Sequence, residues 1–309
     1  MEAGEPTAVL VNTASRGGRE RFAKVKAIAE RSGTPLVAVE AIDVPGTIPD
    51  RIRTALRCGA RRVVVGGGDG TLSAVADVVA GQDVRMGVLP LGTGNDFARS
   101  LRIPVDLEQA AAIALGGSVR RVDVGVANGR VFLNAASIGL SSAATRRISD
   151  ALKKRLGRGA FAVAAASEAW SHRPFAVHLQ TDHGSERMDA HQVVVGNGRY
   201  HAGGRLVSPE ASHSDRRLDV YVIRSAQAAR PGAQTDGAKA KDLWMLLRVA
   251  MLLKRGRHVR HPAVLHLRCA RAQLTAEPAQ EIDLDGELVG STPVAFKVRP
   301  GALQVLVPA

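Results

Sequence analysis

The chain has 309 residues, a net charge of +13, and 45 % hydrophobic and 23 % charged side chains. This length and composition are ordinary for a soluble globular protein with two domains. Aromatic residues make up only 3 % of the chain, which argues against base stacking as the main way of holding a nucleic acid.

The first part of the chain alternates short apolar runs with helical patterns. This alternation predicts an α/β domain whose parallel sheet is covered on both faces and binds ligands beyond the carboxyl ends of its strands. The predicted strands are Thr7–Val11, Leu36–Val39, Arg61–Val65 and Val84–Leu89, and the predicted helices are Gly18–Ser32, Ile48–Cys58 and Leu72–Ala80.

From about Arg120 the pattern changes to many strands in succession. Asn128-Gly129 separates the first two of them and is a strong hairpin signal. The pattern predicts a β-rich second domain, an antiparallel sandwich or barrel. The predicted strands are Arg120–Ala127, Arg130–Ser137, Phe175–Thr181, Met188–Gly196, Leu218–Arg224, Ala263–Cys269, Ala272–Thr275, Glu281–Leu284 and Val294–Val298.

We place the first domain at residues 1–127 and the second at residues 128–300, with residues 301–309 as a strand returning to the first domain. Within the second domain, Ile148–Ser171 has a basic helical pattern, and the Ala-, Gln-, Gly- and Pro-containing Ser225–Ala238 is typical of a surface loop. The apolar Leu243–Leu253 predicts a helix packed on this domain, and its basic flank leaves membrane contact open.

Cysteine usage and charge indicate where the protein works. No signal-peptide pattern begins the chain, and Cys58 and Cys269 lie far apart without a CxxC partner, so we expect a cytoplasmic protein without a cysteine metal site. Residues 128–309 hold 26 basic and 15 acidic side chains, against 16 and 14 in residues 1–127. This basic half predicts an anionic partner, either a nucleic acid or a membrane surface.

Two glycine-rich loops follow successive predicted strands. The first, Gly66–Thr71, reads GGGDGT and opens a helix, so its backbone N–H groups and the helix N-terminus can hold a phosphate. Asp69 is unusual there, because a carboxylate repels phosphate; a turn capped by this residue is the alternative. The second loop lies in LPLGTGNDFARSL, residues 89–101, and would meet the first at the same sheet edge.

These two motifs together resemble the catalytic domain of the diacylglycerol kinase family, in particular its soluble bacterial lipid kinases. Further matches cover nearly the whole chain: RVDVG followed by FLN, the asparagine-glycine loop VGNGRY, DRRLDV in place of the family's DGxLDV, and the C-terminal DGE. The resemblance implies an NAD kinase- and diacylglycerol kinase-like fold, with ATP and Mg²⁺ as cofactors and a lipid hydroxyl as acceptor.

The resemblance also assigns roles to individual residues. ATP would be bound by Asn12, Gly67, Gly68, Gly70, Thr71, Thr93, Gly94 and Asn95. Asp69, Asp96, Arg99, Asp123 and Asp215 match a network of carboxylates, water and an arginine, with Asp215 at the position of a structural magnesium ion. Asn12 begins the family's NPxSG loop, although here the proline is replaced by Thr13.

The DGE segment is where the resemblance implies chemistry. Asp285 would be the general base that takes the hydroxyl proton, and Glu287 would orient it or bind metal. Alternate residues of a strand face the same side, so we expect Asp283, Asp285 and Glu287 to share a face. An acidic hairpin turn at Asp285-Gly286 fits the same residues.

The sequence therefore predicts an ATP- and magnesium-dependent kinase that acts at the membrane surface as a peripheral protein, with its active site between the two domains. An NAD kinase-like small-molecule kinase is the nearest alternative, and a non-catalytic lipid- or nucleotide-binding regulator is another. No nucleic-acid partner is expected, and a homodimer stays open. The histidines, including His258 and His261, show no zinc-binding spacing.

Overall fold

The computed structural model describes residues 4–14, 18–142, 172–201, 203–225, 236–253 and 256–309. The chain divides into two compact units, one of Met1–Val124 with Arg299–Ala309 and one of Gly125–Val298. The predicted basic helix over Ile148–Ser171 lies outside the described residues, as does most of the predicted loop over Ser225–Ala238.

Unit one contains a parallel sheet of four strands in the order β2-β1-β3-β4. The end of a later strand, β17, pairs parallel to β4 through Gln304 and Val305. β1 and β3 are buried along almost their whole length, as expected of parallel strands covered on both faces. The predicted parallel α/β fold is confirmed. The strands are β1 (Thr7–Asn12), β2 (Leu36–Ile42), β3 (Arg62–Gly67), β4 (Arg85–Pro90) and β17 (Val294–Val307).

Five helices of unit one are described, three of which match the predicted ones. The two additional helices follow β4. The second is capped by the residue before it, Asp106, whose side chain accepts a hydrogen bond from Gln109 N at 3.0 Å. This helix packs closely on β4, because a Cβ atom on Gly87 would lie 2.8 Å from Ala114 Cβ. The helices are α1 (Gly18–Arg31), α2 (Ile48–Arg57), α3 (Asp69–Val79), α4 (Asp96–Ser100) and α5 (Leu107–Gly116).

Unit two is built from antiparallel strands, which confirms the predicted β-rich C-terminal domain. The order is β16-β15-β7-β9-β8-β14, after which the first residues of β17 pair with β14, and β12 joins β9 to β13. The strands are β5 (Ser118–Ala127, shared with unit one), β6 (Arg130–Phe132), β7 (Ala135–Gly139), β8 (Phe175–Thr181), β9 (Gly184–Gly196), β10 (Tyr200–His201), β11 (Arg205–Leu206), β12 (Leu218–Arg224), β13 (Val264–Cys269), β14 (Arg271–Glu277), β15 (Glu281–Leu284) and β16 (Glu287–Ser291).

The core of unit two is formed by alternate residues of these strands. Phe132, Phe175 and Phe296 lie in it together with valines of β9 and β12, and the rings of Phe132 and Phe296 meet edge to face at 6.3 Å. The predicted single strand Arg130–Ser137 is two strands, β6 and β7, because the N–H groups of Leu133 and Asn134 donate to the Asp285 carboxylate instead of to a neighbouring strand.

A helix, α6 (Asp236–Leu253), crosses one face of unit two and is followed by a 3₁₀ turn over Arg257–Arg260. Leu246 and Val249 are buried, and Val249 packs with Tyr221 and Val264. The prediction that Leu243–Leu253 is a helix packed on the second domain is confirmed. Among the described residues, no helix combines the length and apolarity that crossing a bilayer requires.

Candidate active site

The carboxyl ends of three neighbouring strands lie side by side at one edge of the sheet in unit one. β1 ends at Asn12, β3 at Gly67 and β4 at Pro90, and Gly67 pairs with Pro90 in the register of β3 and β4. The loops after β3 and β4 contain the two glycine motifs. They therefore leave the sheet next to each other, as ligand-binding loops do in parallel sheets.

Glycines allow the two loops to touch through their backbones. A Cβ atom on Gly92 would collide with Cα of Gly68, and one on Gly67 would lie 2.5 Å from the Thr71 side chain. Leu91 N donates a hydrogen bond to Gly67 O at 3.0 Å. A side chain on Gly92 would push the loops apart, and one on Gly67 would collide with Thr71 within the first loop.

Asp69 fastens the first loop to the second. Its Oδ2 accepts a hydrogen bond from the N–H of Asp96 at 3.1 Å, and its Oδ1 accepts one from the N–H of Phe97 at 3.0 Å. These are the first N–H groups of α4, which have no partner within their own helix, and a negative charge is favourable at that end. The carboxylate thus caps the neighbouring helix α4.

Asn12 links the end of β1 to the first loop. Its Nδ2 donates to Thr71 Oγ1 at 2.9 Å, and its Oδ1 accepts from the N–H of Ala14 at 3.1 Å. Residues 15–17, the remainder of the predicted loop after Asn12, lie outside the described residues. The structure therefore brings Asn12 together with the glycine loop, as the resemblance requires.

Asn95 shapes the second loop from within. It is buried and left-handed, with φ 53°, its Oδ1 accepts from Gly92 N at 2.9 Å, and its Nδ2 donates to Gly92 O at 2.9 Å. Thr93 is exposed and Gly94 is half-buried. Thr93 is therefore the residue of this loop that is most exposed to solvent, whereas Asn95 holds the loop in shape.

The remaining predicted network residues of unit one lie in different surroundings. Asp96 is buried at the start of α4, and Arg99 is exposed near the end of the same helix. Asp123 is buried in β5, where its Oδ1 accepts a hydrogen bond from the N–H of Gly301 at 2.7 Å. Gly301 has a φ of +56°, so Asp123 holds β17 at a point where its backbone is left-handed.

The DGE segment of unit two is a hairpin turn and not a continuous strand. β15 ends at Leu284 and β16 begins at Glu287, and Asp285 and Gly286 have φ values of 50° and 94°. Positive φ at both central residues is the geometry of a two-residue hairpin turn. The expectation that strand alternation places Asp283, Asp285 and Glu287 on one face is therefore wrong: Asp285 is buried in the turn, whereas Glu287 is exposed.

The Asp285 carboxylate binds the segment between β6 and β7. Its Oδ2 accepts from Leu133 N at 2.6 Å, and its Oδ1 accepts from Asn134 N at 2.9 Å and from Ala135 N at 3.0 Å. The N–H of Asp285 also donates to Ala135 O at 3.0 Å. Three charge-assisted hydrogen bonds from one rigid segment hold the carboxylate in a single orientation.

The carbonyl groups of the same segment are held from its other side. Asn197 Nδ2 donates to Leu133 O at 2.8 Å, and His213 Nε2 lies 3.1 Å from that oxygen. The N–H groups of Asn197 and Gly198 both donate to Asn134 O, at 2.8 and 2.9 Å. Sequence reasoning missed His213, because it lies in a loop without a pattern; Asn197 belongs to the asparagine-glycine motif, which was its only signal.

The surroundings of Asp215 do not fit the expected magnesium ion. Arg268 Nη2 lies 2.6 Å from Asp215 Oδ2, which also accepts from Ser212 N at 3.1 Å, while Asp215 Oδ1 accepts from Arg217 N at 3.0 Å. Arg268 Nε also lies 3.7 Å from Oδ1 of Asp219, which is fully buried. A guanidinium group thus stands between the two carboxylates, where a metal ion would have supplied the positive charge.

One further observation bears on a metal ion beside Asp215. No group of three or more His, Cys, Asp or Glu side chains within the described part of the chain could hold a metal ion. Arg268 therefore takes the place beside Asp215 that the predicted magnesium ion would have occupied.

Family models match both parts of the chain. The model described as the diacylglycerol kinase catalytic domain matches residues 6–127, and the model described as the YegS C-terminal NAD kinase beta sandwich-like domain matches residues 134–307. Together the two matches include both glycine loops, Asp215 and the DGE turn.

Curated relatives and solved structures agree with these models. A protein named "Probable lipid kinase YegS-like" from Pseudomonas aeruginosa strain UCBPP-PA14 is 33 % identical over 306 residues, which cover 97 % of this chain and 94 % of that one. The diacylglycerol kinase of Bacillus subtilis strain 168 is 29 % identical over 76 % of this chain and 73 % of its own length.

A crystal structure of a diacylglycerol kinase from Bacillus anthracis strain Sterne has the same fold, with a TM-score of 0.76, 22 % identity, and coverage of 99 % of this chain and 98 % of that one. The sequence resemblance to the family is thereby confirmed. The chain belongs to the diacylglycerol kinase family, within its YegS-like lipid kinases, and it is a kinase.

Proposed function

We propose that this kinase transfers the γ-phosphoryl group of ATP to the hydroxyl group of a lipid, diacylglycerol or a related lipid alcohol. The observation that carries the proposal is the junction of the two glycine loops, which Asp69 holds together at one edge of the sheet through Asp96 N and Phe97 N. Loops that are fixed to each other in this way can present backbone N–H groups to a phosphate chain without first having to order.

The nucleotide would be bound by residues around that junction. Gly67, Gly68, Gly70 and Thr71 would hold the phosphates, with the N-terminus of α3 behind them. Thr93 and Gly94 would close the other side, since Thr93 is exposed and Gly94 beside it is half-buried. Asn12 and Asn95 would act by holding Thr71 and Gly92, because those are the contacts that their side chains make.

Asp285 would be the general base. In the transfer step the acceptor oxygen attacks the γ-phosphorus, its proton passes to the Asp285 carboxylate, and the bond to the leaving ADP breaks. The hydrogen bonds from Leu133, Asn134 and Ala135 would keep the carboxylate in one orientation during this step. Glu287, which is exposed at the start of β16, would approach the acceptor hydroxyl from solvent and help to orient it.

A magnesium ion would bind together with the nucleotide and not at Asp215. Mg²⁺ bound to ATP keeps several waters and needs only one or two carboxylates, so Asp96 beside the loop junction is a fitting donor. When bound, the ion would neutralise part of the negative charge of the phosphates.

Incubating the purified protein with γ-labelled ATP and either a total lipid extract, diacylglycerol or NAD tests the proposal. We expect label in a lipid phosphate, identified by mass spectrometry, and none in NAD. Label in NAD alone would establish the small-molecule alternative, which the NAD kinase-like description of the C-terminal model makes worth testing. An absence of label in every acceptor, with ATP bound, would favour the non-catalytic regulator.

A further inference from the structure

Helix α6 has two apolar faces, and only one of them packs on the protein. On the inner face, Leu246 and Val249 are buried, and Met245 packs with Val249 against Tyr221. A surface helix of a globular protein usually has one apolar face and one polar face. The opposite face of α6 departs from this pattern.

The outer face carries three large apolar side chains in a row. Trp244, Leu247 and Met251 are 67 %, 48 % and 63 % exposed, and their spacing of three and four residues puts them on one side of the helix. We call these three residues the α6 stripe. The other exposed large apolar residues in the described part of the chain, Val44, Val105, Val119 and Leu288, belong to separate elements.

The charges around the α6 stripe are positive. Lys241 and Arg248 are exposed on the same helix, and Arg257 and Arg260 are exposed in the turn that follows it. Asp242, the acidic residue that precedes the α6 stripe on this helix, is buried. Its Oδ2 lies 3.1 Å from His191 Nε2. From residue 239 to residue 260 the sequence holds seven Lys and Arg and one acidic residue.

We propose that the α6 stripe docks the protein on the surface of an anionic lipid bilayer. Apolar side chains that include tryptophan, bordered by lysine and arginine, match the boundary between acyl chains and negatively charged headgroups. A second copy of this chain fits this surface less well, because a contact between two such faces would bring their positive charges together. This proposal rests on the proposed function, which supplies the lipid nature of the substrate. It adds the surface by which the protein would reach the membrane that contains this lipid.

Vesicle sedimentation with the full-length protein tests the docking surface. We expect the wild type to bind phosphatidylcholine vesicles that contain phosphatidylglycerol, to bind pure phosphatidylcholine vesicles weakly, and to lose affinity as salt is added. The triple variant Trp244→Gln, Leu247→Gln, Met251→Gln should bind roughly tenfold or more weakly. The matched control Val44→Gln, Val105→Gln, Val119→Gln removes exposed apolar groups elsewhere and should bind as the wild type does.

Equal binding by the wild type and the stripe variant, both with wild-type thermal midpoints, would overturn the proposal. It would also be overturned if the wild type failed to bind anionic vesicles, or if the stripe variant differed only in losing a concentration-dependent dimer. The experiments distinguish a failure of the docking proposal from a failure of the proposed function. Wild-type protein that binds vesicles through the stripe but phosphorylates no lipid would disprove the proposed function and leave the docking surface standing.

Discussion

Asp69 and Asp285 are both acidic residues beside glycines in the sequence, yet the structure uses them as acceptors for backbone N–H groups. Asp69 caps α4 from a different loop, and Asp285 holds three consecutive N–H groups between β6 and β7. Each carboxylate therefore organises the segment that the proposed chemistry needs. Substitutions at either position must be interpreted with a measurement of stability beside the measurement of activity.

Replacing Asp69 by alanine should abolish turnover and weaken ATP binding. The substitution leaves the N–H groups of Asp96 and Phe97 without their acceptor, which should lower the free energy of unfolding by about 1–3 kcal/mol and loosen the second loop. Calorimetric titration with ATP and a lipid kinase assay check both expectations.

Asp106→Ala is the matched control, because Asp106 caps α5 through Gln109 N and has no assigned role in the site. It should lower stability by about 1 kcal/mol and leave turnover per folded molecule unchanged. Normal lipid phosphorylation by the Asp69 variant would show that the first loop is only a turn.

Replacing Asp285 by asparagine should abolish phosphoryl transfer while ATP still binds. An amide cannot take the hydroxyl proton, and its NH₂ group cannot accept the hydrogen bond from Leu133 N, so a loss of stability of about 1–3 kcal/mol should accompany the loss of activity. Single-turnover kinetics with saturating ATP, together with thermal unfolding, measure the two effects.

Glu287→Gln distinguishes the two acidic residues of the turn. Glu287 is exposed, so this substitution should leave stability unchanged and should lower turnover less than Asp285→Asn does. If Glu287→Gln is the inactive variant and Asp285→Asn retains turnover, the assignment of the base is reversed.

Strands and helices followed their sequence patterns wherever neighbouring residues decide the conformation. The apolar run of β3, the amphipathic α2 and the hairpin after β5 were all predicted. The errors occur where a distant side chain intervenes. One predicted strand is split into β6 and β7 because Asp285, about 150 residues away, takes the N–H groups that would have joined a sheet.

The loop before β12 offers a test at the level of one element. Arg268 of β13 bonds to Asp215 in that loop and lies beside the buried Asp219, so chelation of divalent cations by EDTA should leave the thermal midpoint unchanged. Arg268→Met should lower the free energy of unfolding by about 2 kcal/mol, because the Asp219 region loses its cation.

Arg271→Met is the control for this substitution, since Arg271 is the exposed arginine that begins β14. It should have little effect on the thermal midpoint. A drop in the midpoint of the wild type on adding EDTA, reversed by Mg²⁺, would show that a metal ion supports the loop after all.

The molecule as a whole should lose stability in mild acid through three histidines of unit two, of which His172 is half-buried and His191 and His258 are buried. Burial lowers the pKa of His172 to about 4, and it also lowers the pKa of His191, although Asp242 opposes that shift, and the pKa of His258. The unfolded chain binds protons at His172 below about pH 6.5, whereas the folded chain binds one there only near pH 4, so protons favour unfolding between these values. The lowered pKa values of His191 and His258 act in the same direction.

Urea unfolding across this pH range measures the effect. His172 should contribute up to about 3 kcal/mol of the decrease, and His172→Asn should flatten the profile. His183→Asn replaces an exposed histidine and should keep the wild-type slope. An unchanged slope in the His172 variant would show that this residue is protonated equally in both states.

Local patterns were sufficient for the fold class and for the positions of the glycine loops. Strand periodicity, turn residues and helix starts depend on residues a few positions apart, so they can be predicted from the sequence. The family resemblance rests on the same kind of local motif and was confirmed by the matching family models.

The partners of individual polar groups could not be derived in that way. Asp69 to Phe97, Asp285 to Leu133 and Arg268 to Asp215 are contacts between residues 28, 152 and 53 positions apart. Strand pairing brings such residues together, and a buried carboxylate then bonds to whichever donor lies within about 3 Å of it. Motifs therefore located the acidic residues, whereas packing determined that Asp69 caps a helix, that Asp285 lies in a turn, and that an arginine accompanies Asp215.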